Sequence, residues 1–187
     1  MRPEFYSDID VRGARQDGFY PECALIMPRV IKPLHDFFFK NPDTFAVDLP
    51  LLNSGKQRQL GSKIRVFSND ADRLDELMTT MTENTYLDAH CRFSRHVLTV
   101  PQEPNKWVTL HRFRISKRNN MVQRKKDLEK VSELPFIMTQ SSQNRQVYPL
   151  IIQRNIHTGA PEYGIPNSYG LSGIHSVCLP LLSDSDL

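Results

Sequence analysis

The chain has 187 residues, 39% of them hydrophobic, and a formal net charge of +3. That length gives one domain, or two small ones sharing an interface. Mean hydropathy is −0.46, and no run approaches the roughly 20 apolar residues of a membrane helix, which excludes a helical membrane protein.

In chain order, Glu4 to Val11 is the first strand. Pro21 to Asn41 reads as a helix, with Ala24, Met27, Ile31, Leu34 and Phe38 at helical spacing and Pro21 suited to a first turn. Pro28 and Pro33 are awkward inside it and predict a kink or a late start. Thr44 to Leu49 is strand-like, and Asn53 to Leu60 is a polar loop. Ile64 and Val66 alternate with Lys63, Arg65 and Phe67 as a further strand. Asn69 or Asp70 can cap a helix running to about Thr82, with Leu74, Leu77, Met78 and Met81 on one face. Asp88 to Val100 is strand-rich, and Pro101 to Pro104 makes a boundary. Trp107 to Ile115 alternates as a strand, then a basic loop or helix follows. Pro135–Gln140 and Val147–Arg154 are strand-like. Gly159 to Ser168 is a Gly/Pro-rich loop, and a last extended segment follows Tyr169.

The order strand, helix, strand, strand, helix, strand is the ferredoxin-like one, an antiparallel sheet with helices on one face. The expected class is α+β. Residues 1–100 form the ferredoxin-like (βαββαβ) half, and residues 105–187 form a less regular, β-rich half carrying the basic helix or loop. RNA-recognition modules share this order, but fold does not imply function. Lys63 to Ser68 lacks the RNP1 pattern that places aromatics on the sheet.

Charge is concentrated. Lys106 to Lys130 holds nine Lys or Arg against two acids, a local +7, so the rest of the chain sums to −4. Such a stripe is the footprint of a polyanion site. Arg112 and Arg114 share a strand face and could meet the Hoogsteen edge of guanine, or contact phosphate. Lys117, Arg118, Arg124, Lys125 and Lys126 suit phosphates. No helix-turn-helix or heptad pattern suggests a DNA-binding regulator.

Cys23, Cys91 and Cys178 are odd in number and form no CxxC pair, which predicts reduced thiols. The sequence MRPEFYSDID has no apolar signal-peptide core, and a cytoplasmic location is expected. There is no HExxH and no Cys/His ligand spacing. Asp70, Asp72, Asp75 and Glu76 read as a solvated helix face, so no metal or other cofactor is expected. RNA can be cut without a metal when a base takes the proton of a ribose 2′-hydroxyl, and histidine suits that task. Of the six histidines, His35 lies on the first helix beside the apolar stripe. It reads as either a base or a half-buried helix residue. Ser141 and Ser142 could orient a ribose or simply form a turn. Tyr148 is a stacking platform or a core aromatic. A two-histidine ribonuclease using His35 with His111 or His157 is a competing reading.

Four stretches together resemble the CRISPR repeat-processing endoribonuclease family of the subtype I-F (Csy) system. They are KPLHDFF, LGSKIRVFSND, LPFIMTQSSQNRQVYPLIIQR and SYGLSG, in the family's order with similar spacing. The resemblance implies metal-independent cleavage at the 3′ base of a repeat hairpin, leaving a 2′,3′-cyclic phosphate. It also implies a product hairpin that stays bound, with other subunits of a surveillance complex as partners. Under it His35 is the general base, Ser141 holds the ribose, and Tyr169 positions the histidine. Arg112 takes a base-reading position. Arg114 falls where the family uses glutamine, and Tyr148 where it stacks a phenylalanine. The basic segment is shorter than the family's and is interrupted by Asn119 and Asn120. A non-catalytic hairpin-binding subunit is the alternative.

Overall fold

Strand and helix propensities resolve into thirteen elements in the computed structural model, which describes residues 1–12, 23–54, 58–101, 104–115, 121–140 and 145–182. Strand β1 (Phe5–Val11), helix α1 (Cys23–Lys40), strands β2 (Phe45–Asp48) and β3 (Lys63–Ser68), helix α2 (Ala71–Thr82), short helix α3 (Thr85–His90) and strand β4 (Cys91–Phe93) come first. They build an antiparallel sheet in the order β2-β3-β1-β4, with β5 (Leu98–Thr99) also pairing β1. The fold is α+β, with the strand order of a ferredoxin-like sheet. Among the described residues no helix is long and apolar enough to cross a membrane.

Helix α1 is one helix through both prolines, so the late start is corrected, and Pro21 lies outside the described residues. Magnitudes explain why. An interior proline costs about 3 kcal/mol, whereas each large apolar side chain buried gives about 1.5–3 kcal/mol. The helix buries Cys23, Ile26, Met27, Val30, Leu34 and Phe38, which outweighs two prolines. The buried stripe is also rotated from the expected one: Ala24 is exposed and Ile31 only half-buried. Helix α2 starts as expected, with the Asp70 carboxylate accepting from Arg73 N at 3.0 Å, and it buries Leu74, Leu77, Met78 and Met81.

The expected strand over Asp88–Val100 is corrected in its first part. Asn84 Oδ1 accepts from Tyr86 N at 3.1 Å and Leu87 N at 3.2 Å. That cap turns Thr85–His90 into helix α3 and leaves only two short strands beyond it.

Both faces of β3 are buried. Phe45, Val47, Ile64, Val66 and Ile9 share one face, where the Phe38 ring of α1 stacks on Phe45 at 5.0 Å. The opposite face carries Arg65, which forks onto Asp8 at 2.7 and 2.8 Å and also donates to Leu182 O at 3.4 Å.

The second sheet has the order β7-β8-β6-β9, built from β6 (Trp107–Phe113), β7 (Phe136–Gln140), β8 (Val147–His157) and β9 (Leu179–Pro180). Strand β6 ends two residues earlier than expected, and β8 runs three residues further. Helix α4 (Met121–Glu133) lies between β6 and β7 in the chain, so the basic stretch beyond β6 is helical from Met121 onward. The Arg154 guanidinium of β8 joins the sheets by a two-pronged ion pair with Asp48 of β2, both bonds 2.8 Å.

Candidate active site and nucleic-acid interface

His35 sits on the half-buried flank of α1, one residue past buried Leu34. Its Nδ1 lies 2.8 Å from the carbonyl oxygen of Ser168. A carbonyl can only accept, so Nδ1 carries the hydrogen. In the neutral ring the lone pair is then on Nε2, the state a general base requires. The Tyr169 ring covers the imidazole face to face, with centroids 4.1 Å apart and planes at 4°.

The turn that delivers Ser168 and Tyr169 follows from three residues. Asn167 Oδ1 accepts from Tyr169 N at 2.8 Å and Leu171 N at 3.3 Å, an Asx turn. Gly170 closes it at φ +70°, where a Cβ would meet Phe38 Cε2 at 2.9 Å, so only glycine fits. Gly170 O then accepts from Val47 N at 2.9 Å, and Ser172 N donates to Leu110 O at 2.8 Å. The turn is thereby sewn to both sheets.

The far end of Tyr169 is held as well. Its hydroxyl is 3.0 Å from the Tyr148 hydroxyl, and the neighbouring Thr139 side chain acts on it in the opposite sense, favouring the ionised form. Thr139 and Tyr148 are direct partners across β7 and β8. Burial pushes the Tyr169 hydroxyl above the ordinary tyrosine value, and the Tyr148 hydrogen bond adds to that. The phenol is therefore neutral near pH 7. The Arg112 guanidinium lies over the Tyr148 ring at 5.0 Å. Sequence-distant Arg112, Tyr148, Tyr169 and His35 thus form one chain of contacts.

Other predicted residues lie apart from it. Arg114 is exposed beyond the end of β6. Arg124, Lys125 and Lys126 are exposed on α4, whose only buried residue is Asp127. Ser141, Ser142, Lys117 and Arg118 lie outside the described residues. His157 is on β8, nine residues from Tyr148 (about 30 Å along a strand), with Nε2 3.6 Å from Cys178 Sγ. It cannot share a phosphate with His35. Burial holds half-buried His111 below the ordinary histidine value. Among the described residues, no three His, Cys, Asp or Glu gather in a group that could hold a metal ion.

Four contributors escaped the sequence reading: Thr139, Asn167, the Ser168 carbonyl and Arg58. Arg58 donates to Val131 O at 3.1 Å and Ser132 O at 2.9 Å. This places a cation on the negative end of α4. Lys130 Nζ, 5.1 Å over the Phe113 ring, adds a second tie. The pattern N-x-x-G in PNSYG was a readable turn signal. A backbone carbonyl leaves none.

A protein-family model described as CRISPR-associated protein (Cas_Csy4) matches residues 6–181. No curated protein matches the chain.

Proposed function

The chain belongs to the Cas_Csy4 family, the CRISPR-associated endoribonucleases of subtype I-F, and from this membership and the His35 geometry we propose a specific reaction. The protein cuts precursor CRISPR RNA at the 3′ base of the repeat hairpin without a metal. His35 Nε2 takes the proton of the ribose 2′-hydroxyl. O2′ bonds to the adjacent phosphorus, the bond from phosphorus to O5′ breaks, and O5′ takes up a proton. The products are a 2′,3′-cyclic phosphate and a 5′-hydroxyl. The observation that carries this reading is the Nδ1 contact with Ser168 O, which leaves Nε2 as the acceptor. Tyr169 orients the ring from its face. Ser141, or its neighbour Ser142, holds the attacking ribose. Positioning supplies much of the rate, because in-line geometry replaces an encounter.

Recognition divides by residue. Arg112 and Arg114 meet base edges near the stem end, where a deep A-form groove opens. Tyr148 stacks on the terminal pair. Lys117, Arg118, Arg124, Lys125 and Lys126 bind phosphates, so affinity falls steeply with salt. The product hairpin stays bound, and the protein remains as a subunit of a larger surveillance complex.

The test is incubation of the repeat hairpin with the protein in EDTA. One cut at the 3′ base of the stem, ending in a cyclic phosphate, is the expected result. Tight hairpin binding with no cut would leave a binding subunit instead. In the same system, alanine at both Arg112 and Arg114 weakens hairpin binding by more than about 2 kcal/mol, since one two-pronged base contact is worth about 1–3 kcal/mol. Equal affinity of variant and wild type for matched and mismatched stems would remove their reading role.

A further inference from the structure

Tyr169 can orient His35 only if its own ring is fixed. An aromatic stack contributes about 0.5–1.5 kcal/mol and leaves the upper ring free to slide. A productive site needs orientation held to about 10–20°. The Asn167 bond fixes only the backbone of Tyr169. What holds the outer end of the ring is the hydroxyl pair with Tyr148 at 3.0 Å.

We propose that Tyr148 is a positioning residue for His35, acting through its hydroxyl on Tyr169, in addition to any stacking by its ring. The inference rests on the cleavage reading above and deepens it. A phenylalanine at this position could stack on a base pair but could not hold Tyr169. The anchor is also well placed to sense RNA. Tyr148 and Thr139 form the rung next to Gln140 and Val147, and Ser141 follows Gln140 in the chain. Arg112 lies on the ring of Tyr148. A guanidinium drawn to a base edge must leave that ring, and a terminal base pair can then take its place. Substrate docking and the alignment of His35 therefore meet in one side chain.

The test is Tyr148→Phe, which keeps the ring and removes one hydroxyl. Three quantities are read: the single-turnover cleavage rate at saturating protein, the hairpin Kd, and the NMR shifts of the His35 ring protons in the free protein. Cleavage is expected to slow about fivefold to tenfold, the worth of one hydrogen bond. Kd stays within about twofold, as for a lost group that does not bind RNA. The upfield ring-current shift that Tyr169 imposes on His35 shrinks. Tyr148→Leu, which also loses the ring, additionally weakens binding. Wild-type cleavage with unchanged His35 shifts in Tyr148→Phe overturns the inference and leaves the cleavage reading intact. If the wild-type protein does not cut at all, the cleavage reading fails. The His35 shifts then decide the positioning claim alone, and unchanged shifts overturn it.

Discussion

His35→Ala is expected to lower the single-turnover cleavage rate by about 10²–10⁴-fold, the usual contribution of a positioned general base. Hairpin affinity should stay the same. The substitution removes the Nε2 acceptor, the Nδ1 bond to Ser168 O and the stack under Tyr169. None of the residues proposed to bind RNA changes. The alternative is a histidine that merely fills the flank of α1. That alternative predicts a small stability loss and an unchanged rate per folded molecule. Rate measured at saturating protein, with Kd from filter binding, separates the two. A variant cutting at the wild-type rate removes His35 from the mechanism.

Asp48→Ala should destabilise the protein by about 3–5 kcal/mol, the cost of leaving one partner of a buried ion pair without the other. The side chains of Asp48 and Arg154 are 4% and 10% exposed, so solvent screens the pair little. The carboxylate accepts from Arg154 twice and from Leu49 N at 2.8 Å. Its loss leaves Arg154 buried between the sheets. It also loosens Val47, whose N–H holds the turn at Gly170. Urea unfolding measures the effect. Pairing Asp48→Leu with Arg154→Met should recover part of the loss, since apolar side chains of similar volume can replace a buried pair. A loss under about 1 kcal/mol would place the pair with solvent-screened surface bridges.

Local periodicity made the first half legible. Strand-like composition marks β1 and β2, alternation marks β3, and helical spacing behind an Asn69 or Asp70 cap marks α2, where the structure uses Asp70. Two local rules misled. The prolines of α1 argue for a kink or a late start, but a buried face of six residues carries the helix through both. Asp88 to Val100 reads as strand-rich, but the Asn84 cap makes Thr85–His90 a helix. The basic stripe is visible as charge and leaves loop or helix open; the structure decides for a helix from Met121 to Glu133. Its mooring was not visible, because Arg58 lies 73 residues from Val131 in sequence.

The candidate site was legible only in part. His35 stands out by its place beside the apolar stripe, which alone leaves base or half-buried helix residue open; its assignment as the base and the role of Tyr169 come from the resemblance. What fixes the tautomer of His35 is a backbone carbonyl 133 residues away, which has no side-chain signature. The Tyr148–Tyr169 contact was hidden for the opposite reason. In the sequence the two residues stand apart, Tyr148 as a stacking platform or core aromatic and Tyr169 through the family resemblance. Only the register that sets Thr139 beside Tyr148 brings their hydroxyl groups together.

The central claim is that a ribose 2′-hydroxyl, deprotonated by His35, is the nucleophile. The most direct measurement compares the repeat hairpin with a copy carrying one 2′-deoxy ribose on the 5′ side of the scissile phosphate, both in EDTA. The account predicts that the all-ribose strand is cut to a cyclic phosphate while the deoxy strand binds equally well and stays whole. Cleavage of the deoxy strand at a similar rate would contradict it, because the attacking oxygen would then have to come from water.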